Sequence, residues 1–403
     1  MEGSMTFSRT FDSLPLARWH EGAMTATPSE VAQAVAGRSG GDEILRFARL
    51  IGPEAGRPGA LEAMCQASRR LTQQRFGKVM RFFAPLYLSN ECVNNCKYCG
   101  FSRDNAILRV TLSVEEVVRE ARALRDRGFR HLLLVSGEHP RFAGNPYIAR
   151  CVEALRAEVP SLSLEVGPME TEDYREMVAA GAEALVVYQE TYDRGAYAEV
   201  HTAGPKKDFD WRLDTPERGY AAGFRRLGIG ALHGLSDWRF EALALAAHLA
   251  HLQRRCWKAQ LTVSLPRLRP HAGEYLPPTR LEDRELAQLV AAYRLVFPDL
   301  GIVLSTREPA SLRDGLIPLG VTHLSAGSHT EPGGYTGAGA DKLHRTRRGR
   351  IEDLEAGEAA GRGATGQFEI ADERSPEQMA QVVRRLGYEP VWKDWDTALS
   401  GER

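Results

Sequence analysis

Phe82-Phe-Ala-Pro-Leu-Tyr-Leu-Ser-Asn-Glu-Cys92-Val-Asn-Asn-Cys96-Lys-Tyr-Cys99-Gly-Phe101 joins a short apolar run to a loop that carries three cysteines. The run, residues 82–88, has the length and aromatic character of a buried strand. Similar runs recur at 131–136, 162–166, 184–188, 228–232, 261–265, 301–305 and 321–326, making eight in all. Between most of them lie amphipathic stretches such as 113–127, 215–226, 238–254 and 281–296. Parallel strands joined by helical crossovers produce this rhythm. Eight units predict an α/β fold closed into a (β/α)8 TIM-type barrel. An open doubly wound sheet is the other arrangement of such units, but no Gly-x-Gly-x-x-Gly phosphate turn follows the first run.

The cysteine loop states the chemistry. Cys92, Cys96 and Cys99 are spaced C-x3-C-x2-C, and the next cysteine, Cys151, is far along the chain. Thiolates hold iron–sulfur clusters, and a fully ligated [4Fe–4S] cube takes four. Three would leave one iron open to a substrate or cofactor. A tetrahedral zinc site is the competing assignment and needs a fourth ligand, for which His131 and His139 are the candidates.

Composition narrows the class. In 403 residues the formal net charge is −1, so no global field draws the chain to nucleic acid or a membrane surface. No apolar run approaches the ~20 residues of a membrane span, and residues 1–15 lack the basic-then-apolar pattern of a secretory signal. Six cysteines in a chain of this length do not form a disulfide framework. Cys65, Cys151 and Cys256 read as small buried apolar residues. A cytoplasmic, reducing location is expected.

Three regions follow: a helical extension over 1–80, the barrel over 81–330, and a C-terminal segment over 331–403. Within the last, 333–366 is rich in Gly, Ala, Arg and Glu and is expected to be a flexible insertion. Its basic run, Arg345-Thr-Arg-Arg-Gly-Arg350, reads as a solvated loop or as a surface for an acidic partner. Residues 375–385 are expected to be helical, and the aromatics of Tyr388-Glu-Pro-Val-Trp-Lys-Asp-Trp395 to pack on the barrel.

Barrel chemistry sits at the C-terminal ends of the strands, and unusual polar residues fall there. Gly137-Glu138 follows the second run, where a backbone without Cβ lets a ligand approach and an acceptor can take an N–H. Glu190 ends the fourth, and Arg212 lies downstream of it. Arg267 and Arg269 follow the sixth run, and Ser305-Thr-Arg307-Glu308 the seventh. Arginines at neighbouring strand ends suit an anionic group such as an amino-acid carboxylate. A surface ion pair is the bland alternative for each.

The cysteine spacing, with Tyr98 before the last cysteine, resembles that of the radical S-adenosylmethionine (SAM) enzymes. Further segments narrow the resemblance to the 2-iminoacetate synthases, the radical SAM tyrosine lyases of thiamine thiazole biosynthesis. They are Arg70-Leu-Thr-Gln-Gln-Arg-Phe-Gly77, Leu133-Leu-Val-Ser-Gly-Glu-His139, Val187-Tyr-Gln-Glu-Thr-Tyr192, Asp208-Phe-Asp-Trp-Arg-Leu213, Pro266-Arg-Leu-Arg-Pro270, Pro332-Gly-Gly-Tyr335 and Pro390-Val-Trp-Lys-Asp-Trp-Asp396.

The resemblance implies a [4Fe–4S] cluster on Cys92, Cys96 and Cys99. SAM would be held by Gly137 and Glu138 at its amino group, Glu190 at the ribose, Arg212 at the carboxylate, and Tyr98 near the adenine. It also implies L-tyrosine as substrate, cleaved by a deoxyadenosyl radical at Cα–Cβ to p-cresol and 2-iminoacetate. Arg307 would grip the substrate carboxylate, with Ser305 and Arg269 as second contacts. Thiazole synthase and a flavodoxin or ferredoxin-type reductant are the implied partners. The hydrogenase-maturation tyrosine lyase, which carries further cysteines beyond its barrel, and the thiopeptide tryptophan lyase share parts of the pattern. An iron–sulfur electron carrier is the non-enzymatic alternative.

Overall fold

The computed structural model describes residues 6–38, 41–347, 350–352, 354, 358 and 361–392. Eight parallel strands close on themselves. They are β1 (Val79–Ser89), β2 (His131–Ser136), β3 (Ser161–Glu165), β4 (Ala184–Glu190), β5 (Arg226–Ala231), β6 (Gln260–Ser264), β7 (Gly301–Leu304) and β8 (His323–Ser325). Each pairs with the next, and β8 pairs with β1 through Arg81 to Phe83 against His323 to Ser325. All eight expected strands are present, within a few residues of their expected bounds.

Helices follow the sequence rules at their starts. Val114–Asp126 opens on a capping box in which the Ser113 hydroxyl accepts from Glu116 N and Ser113 N donates to the Glu116 carboxylate. Asp237 caps Trp238–Arg255 by accepting from Arg239 N and Phe240 N. The barrel interior is filled with a period of two. Phe83, Leu133, Val186, Tyr188, Ser264 and Val303 face inward, and two glycines on β5 make room for them. A Cβ on Gly230 would lie 2.6 Å from Ser264 O and 2.8 Å from the Tyr188 ring.

The N-terminal extension is helical, as expected, over Phe7–Phe11, Leu16–Met24, Pro28–Val35, Glu43–Ile51 and Pro58–Phe76. It packs on the outer helices. Phe7 stacks on His248 with centroids 4.3 Å apart, and Phe47 meets Tyr293 at 4.7 Å. Cys65, Cys151 and Cys256 are buried and unpaired.

The C-terminal segment is built into the barrel. Helix Pro376–Arg385 leads to β9 (Glu389–Val391), which pairs in parallel with Val79 to Arg81 at the start of β1. Trp392 then stacks on Phe82, centroids 4.8 Å apart, and meets Phe129 edge-on. The aromatics pack as expected, but the strand does not show in the sequence, because three residues with a central proline look like a loop. Trp395 lies outside the described residues. The stretch expected as a flexible insertion is engaged over its first part. Tyr335 is half-buried, with its hydroxyl donating to Pro85 O at 2.6 Å, and His344 forms two backbone hydrogen bonds with Arg109. Within the basic run, Arg345 pairs with Glu358, while Arg348 and Gly349 lie outside the described residues.

Candidate active site

The loop after β1 is tied down by a single buried side chain. Arg109 donates from Nη1 to Asn90 O (2.5 Å) and Phe101 O (3.1 Å), and from Nη2 to Ser102 O (2.8 Å) and Asn105 O (3.4 Å). One guanidinium therefore ties together the chain entering and leaving the three cysteines. Glu91, fully buried beside Cys92, is held by His344 Nε2 at 2.7 Å and by the Thr346 hydroxyl. The loop's far side rests on the C-terminal segment. A Cβ on Gly100 would lie 2.6 Å from both Gly366 O and Gln367 O, so the Cys99-Gly100 pair has a packing reason.

Cys92, Cys96 and Cys99 line one cavity of about 620 Å³. Its wall includes Asn94, Gly137, Glu138, Glu165, Tyr188, Glu190, Lys206, Arg212 and Gln367. The three cysteines share this space. Among the described residues no three His, Cys, Asp or Glu side chains come close enough to hold one ion. Three cysteines on the wall of one cavity suit a cluster with one iron per thiolate. His131, at the start of β2, lies at the opposite end of the barrel and bonds Ser163 at 2.7 Å, so it is remote from such a site. Burial raises all three thiols, and metal binding is what draws protons from buried cysteines. Asn94 Nδ2 reaches Cys92 Sγ at 3.7 Å and Gln367 Nε2 reaches Cys99 Sγ at 3.8 Å, donors of the kind that tune a cluster.

Gly137 stands where a Cβ would lie 2.2 Å from Glu91 O and 3.3 Å from Cys92 Cβ. Glu138 is oriented by Asn94 Nδ2 at 2.7 Å. Glu190 is the one non-glycine with positive φ among the described residues, at 73°. Such strain persists only when its surroundings over-determine it. Here Leu232 N donates to Glu190 O at 2.7 Å, and the Glu241 carboxylate takes the Thr191 hydroxyl and Tyr192 N just beyond. The Glu190 carboxylate then meets Lys206 Nζ at 2.6 Å and Arg212 Nη2 at 3.6 Å. Burial alone would raise Glu190, but Lys206 and Arg212 hold it below the usual carboxylate range. Arg212 is itself fixed by Tyr188 O at 2.7 Å. Tyr98 turns its ring from this cavity, and its hydroxyl meets His201 Nε2 at 2.6 Å.

A second cavity, about 700 Å³, opens over the barrel centre. Phe83, Tyr87, Leu133, Val303, Ser305, Arg307 and Phe368 line it. Val135, Glu165, Tyr188 and Gln367 border both cavities. The Arg307 guanidinium lies 3.4 Å from the centroid of the Phe368 ring and has no ion pair among the described residues. A stacked guanidinium without an ion pair, lining a cavity, is ready for an anion. Arg269 is not brought here: its Nε donates to Glu369 O at 3.3 Å near the surface. Arg267 is occupied by Glu308 and by Asp283, the latter at 2.8 Å. These arginines follow β6 but turn outward along the loop, so proximity to a strand end did not set their direction.

Sequence reasoning missed Asn94, Lys206, Gln367, Phe368 and Glu165. Glu165 had a signal, since it is the polar residue ending its strand. The others lie in turns or in the C-terminal segment without one.

The Radical SAM superfamily matches residues 86–247, and the Biotin and Thiamin Synthesis associated domain matches 264–389. A 2-iminoacetate synthase of Escherichia coli (strain K12) is 44% identical over 351 residues, 87% of this chain and 86% of its own length. That of Salmonella typhimurium is 43% identical over 340 residues, 84% of each chain. Among solved structures, HydG, a maturase of the [FeFe]-hydrogenase, superposes with a TM-score of 0.84 at 29% identity, covering 96% of this chain and 81% of that one.

Proposed function

Because the chain belongs to the 2-iminoacetate synthase family of radical SAM lyases, we propose how its residues divide the cleavage of L-tyrosine at Cα–Cβ into 2-iminoacetate and p-cresol. The 44% identity along 87% of the chain carries the reading. The shared border of the two cavities gives it a geometry. When bound, a [4Fe–4S] cluster and SAM supply hydrogen-atom abstraction, with SAM consumed to methionine and 5′-deoxyadenosine.

Cys92, Cys96 and Cys99 would hold the cluster through their thiolates. Gly137 gives SAM close approach, and Glu138 accepts from its amino group. Glu190 takes the ribose hydroxyls and Arg212 the carboxylate, with Lys206 keeping Glu190 ionised. Tyr98 would meet the adenine through its backbone. Arg307 binds the tyrosine carboxylate, and Phe368 beneath the guanidinium fixes its plane. Ser305 is the second contact. Phe83, Leu133 and Val303 cover the substrate ring and keep water from the reacting carbons.

2-Iminoacetate hydrolyses readily, so direct delivery to thiazole synthase fits its chemistry. A flavodoxin or ferredoxin-type protein supplies the electron. No described helix is long and apolar enough to cross a membrane, and the oxygen sensitivity of such a cluster places the work in the reducing cytoplasm.

Anaerobic incubation of the reconstituted protein with SAM and a strong reductant, with tyrosine and tryptophan in parallel, tests the function. p-Cresol from tyrosine alone supports it. Absence of p-cresol, or release of carbon monoxide and cyanide, overturns it.

A further inference from the structure

The carboxylate of Glu165 ends β3 on the border between the two cavities, between the space of the cysteines and the space of Arg307. It has no hydrogen bond or ion pair among the described residues, unlike Glu138, Glu190, Glu241 and Glu308, which are all engaged. A half-buried carboxylate without a partner is costly unless a ligand completes it. Arg307 across the same cavity is likewise unpaired. An α-amino acid presents two opposite charges on one carbon, and the two empty partners face one space.

We infer that Glu165 receives the α-ammonium group of the bound amino acid and takes one of its protons. This rests on the tyrosine reading above and adds a residue to it. The step is a proton transfer: an N–H bond breaks, the electron pair stays on nitrogen, an O–H bond forms on Glu165, and the amine becomes neutral. A hydrogen atom leaves a neutral amine more readily than an ammonium, because the lone pair stabilises the electron-poor nitrogen that remains. Position on the border also puts the nitrogen toward the cofactor side and the ring toward the barrel centre.

The groups facing Glu165 agree with such a role. Glu190 and Tyr188 come from β4, Tyr87 from β1, Arg307 from beyond β7, and Lys206 and Arg212 from the segment after β4. Burial raises the Glu165 carboxyl to about 7, with Glu190 adding to it, while Arg307, Lys206 and Arg212 pull downward. A base near neutrality both accepts and returns a proton.

The test compares equilibrium binding of L-tyrosine and of 3-(4-hydroxyphenyl)propanoate, which lacks the amino group. It uses the cluster-loaded protein with SAM and no reductant. The wild type is expected to prefer tyrosine by about ten- to a hundredfold, the worth of one charge-assisted contact, and to lose that preference as pH falls through about 7. Glu165→Gln should shrink the preference to about threefold or less and flatten its pH dependence. Circular dichroism and iron content establish that the variant is intact. If it is not, Glu165→Asp serves, and its shorter reach should also weaken the preference. An unchanged preference and pH profile in the intact variant overturns the inference while p-cresol formation by the wild type stands. A wild type that binds neither compound overturns the tyrosine reading and this inference with it.

Discussion

Replacing Arg109 by methionine should release the cysteine loop without unfolding the barrel. The side chain is fully buried, and methionine fills most of its length. The change removes four donor contacts to Asn90, Phe101, Ser102 and Asn105. The two shortest, to Asn90 O at 2.5 Å and Ser102 O at 2.8 Å, hold opposite ends of the loop. Hydrogen bonds from a charged group contribute about 1.5–3 kcal/mol each, so losing two costs about 3–6 kcal/mol. At about 1.4 kcal/mol per tenfold, the open loop becomes ~10²–10⁴ times more populated. Alkylation of Cys96 in the cluster-free chain reads this directly, because Cys96 is only 4% exposed and reacts through opening. Cys65, Cys151 and Cys256, buried in other parts of the molecule, are internal controls. The expected outcome is a rise of at least about a hundredfold at Cys96 with steady controls. An unchanged Cys96 rate, or controls that rise in step with it, would refute the idea of a local clamp.

Arg307→Lys should keep iron content and SAM binding but lose most p-cresol formation, since a point charge replaces neither the planar fork nor the stack on Phe368; near-normal turnover would move the carboxylate anchor elsewhere. Arg212→Ala should weaken SAM by about tenfold or more while tyrosine affinity changes less, and equal SAM affinity by calorimetry would leave Arg212 as a prop for Tyr188 O. Glu241 sets a pH dependence. Burial raises its carboxyl from 4.5 to about 8, so the folded chain binds a proton that the unfolded chain releases. Its contribution to stability is full below pH about 4.5 and is lost as pH rises to about 8, at up to about 1.4 kcal/mol per pH unit. Glu241→Gln should flatten that slope in denaturant titrations between pH 5 and pH 8, and a parallel slope in both proteins would show that Glu241 does not titrate there.

The barrel was legible because its signal repeats. Each strand must be apolar to be buried on both faces, and each crossover must be amphipathic, so eight units announce themselves eight times. The cysteines, Gly137-Glu138, Glu190 and Arg307, which line the two cavities, stand out in the sequence as candidates because they are chemically unusual at strand ends. Direction was not. Arg267, Arg269 and Arg307 look equivalent in sequence, yet Glu308 and Asp283 claim the first, Glu369 O the second, and only the third faces the cavity. Local pattern fixes which end of a strand a residue occupies, whereas the partner that decides its direction comes from a distant segment. Glu190 shows the same limit: its φ of 73° depends on contacts around Glu241 and Leu232, which no run of residues near 190 displays.

The C-terminal segment carries that limit into function. Over 365–371 the chain crosses the barrel mouth and bonds to four different loops. Thr365 N donates to Leu108 O at 2.9 Å, Gln367 N to Thr330 O at 2.9 Å, Glu369 N to Pro270 O at 2.8 Å and Ala371 N to Thr306 O at 2.8 Å. Within it, Gln367 accepts from Gly100 N and from the Tyr87 hydroxyl and reaches Cys99 Sγ, while the next residue, Phe368, carries the Arg307 guanidinium on its ring. Two adjacent residues therefore touch the cysteine loop and the proposed substrate anchor, Arg307. One peptide unit thus links the contact with the cysteine loop to the contact with the Arg307 guanidinium. Misplacement by about an ångström is enough to cost a reaction of this type a large factor in rate. A backbone strap meets that demand better than side chains alone, because consecutive Cα atoms are fixed about 3.8 Å apart. The residues that enforce the spacing need only be small, polar or flat in the right order, and for that reason they carry no motif.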